Sequence, residues 1–129
     1  MILLDTHVLI WMSSDPGRLS AQARQQIVQA RRSTGLAVAS ITLWELAWLA
    51  ENQRVLYSGS VESFVRETIS RVSVKSLTPE IAAVAAHLPD NYPKDPSDRL
   101  IGSTAIVLGI PLVTSDEKIH SSGIVECVW

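Results

Sequence analysis

Cysteine is almost absent from this chain. Cys127 stands alone, so no internal disulfide can form and no thiolate zinc site can be built. Long apolar runs are missing as well: none reaches the roughly 18 residues of a membrane span. The opening MILLDTH has neither a basic leader region nor a long apolar one, so a soluble, cytoplasmic protein is expected. There is no glycine-rich phosphate loop, GxGxxG or Walker motif, which leaves nucleotide binding without support. No period of 20–50 residues recurs and no low-complexity linker divides the chain. An excess of one charge is lacking too. Eleven basic and thirteen acidic residues leave a formal net charge of −2, which excludes a protein that coats nucleic-acid phosphates over its whole surface. A nucleic-acid enzyme stays open.

What is present is enough apolar material for a packed core. Of 129 residues, 47% are hydrophobic and 19% charged, and the mean hydropathy is +0.19. A single domain over 1–129 is expected. The apolar run Met1–Leu4 stops at Asp5-Thr6, and Val8 to Met12 then reads as a brief helix before the Asp15-Pro16-Gly17 breaker. Ser20 caps a second helix, after which LAVAS is a buried strand. Ser40 or Thr42 opens the helix of Leu43, Leu46, Ala47 and Ala50, another helix runs from Ser60 to Arg71, and VSVKSL alternates like a strand. Thr78-Pro79-Glu80 is a helix start with a capping threonine and proline in the first turn; that helix should end near Leu88. The three prolines of LPDNYPKDP make a loop. SDRLIGSTAIVLG then forms a helix closed by Gly109, followed by short strands in IPLVTSD and IVECVW. The order approximates β-α-α-β-α-α-β-α-α-β-α-β. Strands joined by helical crossovers predict an α/β protein with a mainly parallel central sheet covered on both faces, and sites at the carboxyl ends of the strands.

Acids gather where those ends should lie. Asp5 follows the first strand, Asp116 follows PLVTS, Asp98 stands in the first turn of the helix before that strand, and Glu45 lies one turn into the helix after LAVAS. Each has a structural role open to it. Asp5 suits a helix cap, Asp116 a turn, Glu45 a solvated helix face, and Asp95-Pro96 with Asp98 resembles a capping box. Together they are harder to dismiss. Carboxylates brought this close repel one another unless a cation lies between them. Mg²⁺ or Mn²⁺ suits hard oxygen ligands, and the chemistry such an ion supports is phosphodiester hydrolysis.

The pieces MILLDTHVLIW, ITLWELAWL and KDPSDRLIGSTAIVLGIPLVTSDEKI, in this order and spacing, resemble the PIN-domain ribonucleases, and within them the VapC-type toxins of toxin–antitoxin pairs. The resemblance covers nearly the whole chain. It implies a three-layer α/β/α sandwich and a Mg²⁺- or Mn²⁺-dependent endoribonuclease. The family's acidic cluster falls on Asp5, Glu45, Asp98 and Asp116, with Asp5 and Asp98 the surest metal ligands. Thr114 and Ser115 match a hydroxyl-bearing stretch that helps hold the cluster, and Asp95 matches an acid found in part of the family, with a capping or supporting role. Homodimers that bind a small antitoxin near the first helices are also implied.

Other features are weaker. His7 reads as a packed or capping residue, and His87 and His120 lack a mutual metal-ligand spacing, which speaks against zinc. Four of the seven aromatics are tryptophans, and Trp44 and Trp48 lie one turn apart, suited to core or to a partner surface. Between Arg18 and Arg32 there are four arginines and no acid; Arg24, Arg31 and Arg32 are candidates for RNA phosphate contacts, or a solvated helix face. Two rivals remain. A receiver-type signalling module needs an acid pair after the first strand, which is not found here, and an inactive PIN scaffold is opposed by the complete acid set.

Overall fold

The computed structural model describes residues 1–129. In chain order it comprises β1 (Ile2–Leu4), α1 (Thr6–Ser14), a 3₁₀ turn (Pro16–Arg18), α2 (Ala21–Arg32), β2 (Leu36–Ala39), α3 (Ile41–Glu51) and α4 (Val61–Thr68). There follow β3 (Ser73–Lys75), α5 (Pro79–His87), α6 (Pro96–Leu108), β4 (Leu112–Val113), α7 (Glu117–Ser122) and β5 (Cys127–Val128). This is the alternation expected from the sequence. All five strands are parallel, in the order β3-β2-β1-β4-β5.

The strands are short, but their alternation sorts two cores. Ile2, Leu4, Leu36, Val38 and Val113 face one side, where they pack with Val8 and Leu9 of α1, Ala23 and Ile27 of α2, and Leu46 of α3. Leu3, Ala37, Ala39 and Leu112 face the other, against Ile101 and Ala105 of α6, Ile119 of α7 and Tyr92 of the loop before α6. Helices therefore cover both faces, as a parallel sheet requires. A fully buried leucine such as Leu3 or Leu4 is worth about 1.5–3 kcal/mol of transfer free energy.

Boundaries depart from the sequence reading where hydrogen bonds intervene. α1 begins at Thr6 because Asp5 caps it. α4 stops at Thr68, not Arg71: the Thr68 hydroxyl donates to the Phe64 carbonyl and the chain tightens into turns. β4 is cut to two residues, since Pro111 has no amide to extend the ladder. α3 takes Ser40 as its cap position, yet the Ser40 hydroxyl accepts instead from the Leu77 amide and ties the β3–α5 loop to the sheet. α6 ends at Gly109, whose φ of 65° is the left-handed closure expected of a C-terminal glycine.

Candidate active site

The strand order fixes where a site can be. From β1 the chain winds outward through β2 and β3 on one side, while β4 and β5 lie on the other. The crevice between β1 and β4, at their carboxyl ends, is the switch point of the sheet. Asp5 leaves β1 there, with its amide donating to the Val113 carbonyl of β4 at 3.0 Å. The switch point of a receiver-like sheet falls elsewhere, because that order is 2-1-3-4-5; the observed order sets this chain apart from it.

Threonines hold two of the acids. Asp5 accepts the Thr6 amide on Oδ1 at 2.8 Å and the Thr114 hydroxyl on Oδ2 at 2.7 Å. Thr114 is fully buried and works in three directions: its hydroxyl also accepts the Asp116 amide at 3.1 Å, and its carbonyl accepts Nε2–H of His120 at 2.7 Å. Across the crevice, the Thr6 hydroxyl donates to Oε1 of Glu45 at 2.6 Å. Each hydroxyl has one proton, so the 2.9 Å contact between Thr6 and Thr42 runs from Thr42 to Thr6. A chain Thr42 to Thr6 to Glu45 results. Thr6 and Thr42 were not singled out as site residues from the sequence; the signal was their placement beside Asp5 and one turn before Glu45.

Asp98 is positioned differently. The cap of α6 is Asp95, whose Oδ1 accepts the amides of Ser97 at 2.8 Å and Asp98 at 3.4 Å. The reciprocal bond of a capping box, in which the Asp95 amide would donate to the Asp98 carboxylate, is not made. The Asp98 carboxylate is left without a hydrogen-bond donor, and only its backbone is secured: the buried Tyr92 hydroxyl donates to the Asp98 carbonyl at 2.8 Å. Gly102 makes room for that tyrosine, since a Cβ there would fall 2.0 Å from the Tyr92 hydroxyl oxygen. Tyr92 and Gly102 carry no sequence signal that points to the site. Asp116 caps α7, with Oδ1 accepting the Lys118 amide at 2.8 Å and the Ile119 amide at 3.2 Å, which leaves its second oxygen free.

The carboxylates share one field. Burial pushes Asp98 up to about 7, with the charges of Asp5, Asp95, Asp116 and Glu45 adding to the shift. Burial also raises Asp5, against the Thr114 hydroxyl, the Thr6 amide and His7, while Asp116 adds to the rise. Glu45 rises for the same reason, opposed by Thr6 and His7 and reinforced by Asp5 and Asp95. No arginine or lysine forms an ion pair with any of them; the one salt bridge of the molecule is the exposed Arg66–Glu62 pair at 2.9 Å.

No three of these side chains close into a ready chelate. Mg²⁺ takes one or two carboxylates and completes its shell with water and phosphate oxygens, so it does not require three to converge. Hard carboxylate oxygens with no cation among them, around a half-buried Asp98 pushed up to about 7, are a donor set whose repulsion a divalent cation would relieve.

The remaining candidates separate. Ser115 is half-buried beside Thr114 and makes no hydrogen bond of its own. Arg24 donates to the Pro16 carbonyl at 3.1 Å. Arg31 and Arg32 end α2, just before Gly35 leads into the amino end of β2, so the structure places them at the edge of the sheet opposite the acids. Trp11 packs against Trp129, with ring centroids 6.0 Å apart. Trp44 and Trp48 are 59% and 44% exposed. No helix is long and apolar enough to cross a membrane.

Fold and site together define an α/β/α protein with a carboxylate-lined crevice at its switch point. The model of the PIN domain matches residues 2–123, and the chain belongs to the PIN-domain family. Over 120 residues it is 45% identical to Ribonuclease VapC22 of Mycobacterium tuberculosis, covering 93% of this chain and 90% of that protein. Solved structures of the same fold include VapBC2 from Rickettsia felis bound to a DNA fragment from their promoter (TM-score 0.74, 18% identity, 98% of this chain and 97% of that chain). DNA-bound VapBC from Salmonella typhimurium aligns with TM-score 0.74 and 21% identity, over 98% and 97% of the two chains. A toxin–antitoxin complex from Klebsiella pneumoniae aligns with TM-score 0.66 and 22% identity, over 94% and 91%.

Proposed function

We propose that this chain is a Mg²⁺- or Mn²⁺-dependent endoribonuclease that acts as the toxin of a toxin–antitoxin pair. The observation that carries the reading is the set of carboxylates from four elements at the switch point, paired with no arginine or lysine, of which Asp5, Glu45 and Asp98 are raised by burial and by the charges of their neighbours. Identity of 45% to a protein named as a ribonuclease supports the substrate class. Neighbours solved as toxin–antitoxin complexes support a small antitoxin as partner.

Of Asp5, Asp98, Asp116 and Glu45, one or two would ligate an ion directly, Asp5 and Asp98 first, with water and phosphate oxygens completing its shell. When bound, it would supply positive charge to the scissile phosphate and lower the pKa of water. Thr114 aims Asp5, and Thr6 aims Glu45, so that two carboxylates are fixed before substrate arrives. Thr114 also orders the Asp116 backbone, Tyr92 anchors the turn that carries Asp98, and Asp95 caps that turn. Water attacks phosphorus and the 3′ oxygen leaves with a proton, giving a 5′-phosphate and a 3′-hydroxyl; no protein nucleophile takes part. The exposed Trp44 and Trp48 of α3 offer an aromatic face for a second copy of the chain. A cytoplasmic location accompanies this reading.

Purified protein incubated with mixed total RNA in Mg²⁺, Mn²⁺ or EDTA, beside Asp5→Asn, tests it. Metal-dependent cutting that the variant loses, with 5′-phosphate ends, is the expected result. Products ending in a 2′,3′-cyclic phosphate overturn the mechanism. No cutting by folded, partner-free protein overturns the activity and leaves a binding scaffold.

A further inference from the structure

Beside the acidic crevice lies an open cleft of about 610 Å³ between the loop that precedes α6 and helix α7. One wall carries Lys94, the other Lys118 and Ser121. The walls are tied together: the Asn91 amide donates to the Ser122 carbonyl at 3.2 Å, and Tyr92, at the cleft floor, donates to the Asp98 carbonyl. Both lysines are coupled to the site through the backbone. Lys94 immediately precedes Asp95, the cap of the helix that carries Asp98, and the Lys118 amide donates to the Asp116 carboxylate at 2.8 Å.

These two ammonium groups stand among acids and pair with none of them, since the one ion pair of the molecule lies elsewhere. Both side chains are exposed. Asp90 and Glu117 also line the cleft, so it is balanced in charge and does not attract anions indiscriminately. An RNA strand that puts one phosphate in the crevice must bring its neighbouring phosphates past Asp5, Asp98 and Asp116. A cation in the crevice compensates the scissile phosphate, and the phosphates beside it need separate compensation. Lysine supplies that as a mobile point charge without reading bases.

We infer that Lys94 and Lys118 form the track that binds RNA backbone phosphates next to the scissile one. The inference rests on the ribonuclease reading and assigns the strand's path: across the cleft toward α7, away from Arg31 and Arg32 at the opposite edge of the sheet. The track positions the strand and carries no base specificity.

Salt dependence of binding tests this. A fluorescein-labelled oligouridylate of about 12 nucleotides is titrated in Mg²⁺ at rising salt, with every protein in the Asp98→Asn background so that the probe stays whole. Lys94→Ala/Lys118→Ala should weaken binding and reduce the slope of log affinity against log salt by about 1.4, about 0.7 for each single-strand phosphate contact. Lys94→Arg/Lys118→Arg should restore the slope. Arg31→Ala/Arg32→Ala, which removes the same charge from the far edge, should leave the slope as it is. Binding by the parent with an unaltered slope in the lysine-to-alanine pair overturns the track and leaves the ribonuclease reading standing. Failure of the parent to bind, together with failure of the wild type to cut RNA, overturns both.

Discussion

The two sides of the crevice hold their carboxylates by different means. On the sheet side, Asp5 and Glu45 each accept a buried threonine hydroxyl, from Thr114 at 2.7 Å and Thr6 at 2.6 Å. On the α6 side, Asp98 accepts none, and its backbone alone is fixed, from behind, by Tyr92. A hydroxyl that donates to a carboxylate favours its charged form and offsets part of the burial cost. Asp98 lacks that offset, and burial, with the charges of its neighbours adding to it, pushes it up to about 7. The held acids set the geometry of the edge, and burial raises held and unheld acids alike.

Removing the unheld charge breaks this comparison most severely. Asp98→Asn should lower RNA cleavage by more than the 10–100-fold or so that loss of an outer partner of a metal ligand costs. Its effect on stability should have the opposite sign. In EDTA the raised pKa means that the folded protein keeps a proton which the unfolded chain has shed, between about pH 4 and about pH 7. Wild-type stability therefore falls with rising pH across that window and levels off above it, while Asn adds no such slope. Thermal melts should show a variant that matches the wild type near pH 4 and exceeds it above pH 7. Mg²⁺ added at pH 7.5 should raise the melting temperature of the wild type more than that of the variant. A variant less stable at every pH would mean that the Asp98 carboxylate supports the start of α6.

Cutting a hold on the sheet side comes next. Thr114→Val keeps shape and removes the donor to Asp5 together with the acceptor for the Asp116 amide. Loss of such an outer partner costs roughly 10–100-fold in metal affinity or activity, and leaving buried groups unpaired costs about 1–3 kcal/mol. The Mg²⁺ concentration for half-maximal cleavage should rise, in contrast to Asp98→Asn, where no concentration restores activity. Equal responses to metal in the two variants would erase the distinction between held and unheld acids.

Legibility in the sequence followed the same divide. Asp5 and Asp116 could be read as edge residues because each ends an apolar run, and the crossover rule places such ends on one edge of a parallel sheet. Thr114 was legible only through the family resemblance, and the rest of the threonine network, Thr6 and Thr42, was hidden, because a hydroxyl next to an acid at a strand end also reads as a plain turn. Asp95 could be read as the cap of α6, but Asp98 stayed ambiguous between the reciprocal member of a capping box and the site until the structure left its carboxylate without a hydrogen bond. Tyr92 with Gly102 was invisible, since a loop side chain passing over a helical glycine is a contact across the fold with no period or spacing. Arg31 and Arg32 looked suited to RNA as a cluster of charge; connectivity to the amino end of β2 decides which edge they occupy, and it is the wrong one for the crevice.

The support behind Asp98 offers a milder break. Gly102→Ala puts a Cβ 2.0 Å from the Tyr92 hydroxyl oxygen, and the tyrosine must move. Overpacking of this kind typically costs about 1–3 kcal/mol, measurable by urea denaturation. Activity should fall with it, because the carbonyl of Asp98 loses its donor. Tyr92→Phe in the same background separates steric from hydrogen-bonding loss: it should recover part of the stability and none of the anchoring.

The smallest effect should come from the far end of the hydroxyl chain. Thr42 donates to Thr6, and Thr6 donates to Glu45, so Thr42→Val removes the acceptor's helper and leaves the final bond to the carboxylate intact. A single neutral hydrogen bond of this kind contributes about 0.5–1.5 kcal/mol, and cleavage should change only a few-fold. Thr6→Val removes the donor to Glu45 itself and should cost more on both measures. That gradient from Thr6 to Thr42 is the signature of a directed chain. If Thr42→Val proves as damaging as Thr6→Val, the proton order runs otherwise, with Glu45 protonated and donating to Thr6, the direction in which burial already pushes Glu45.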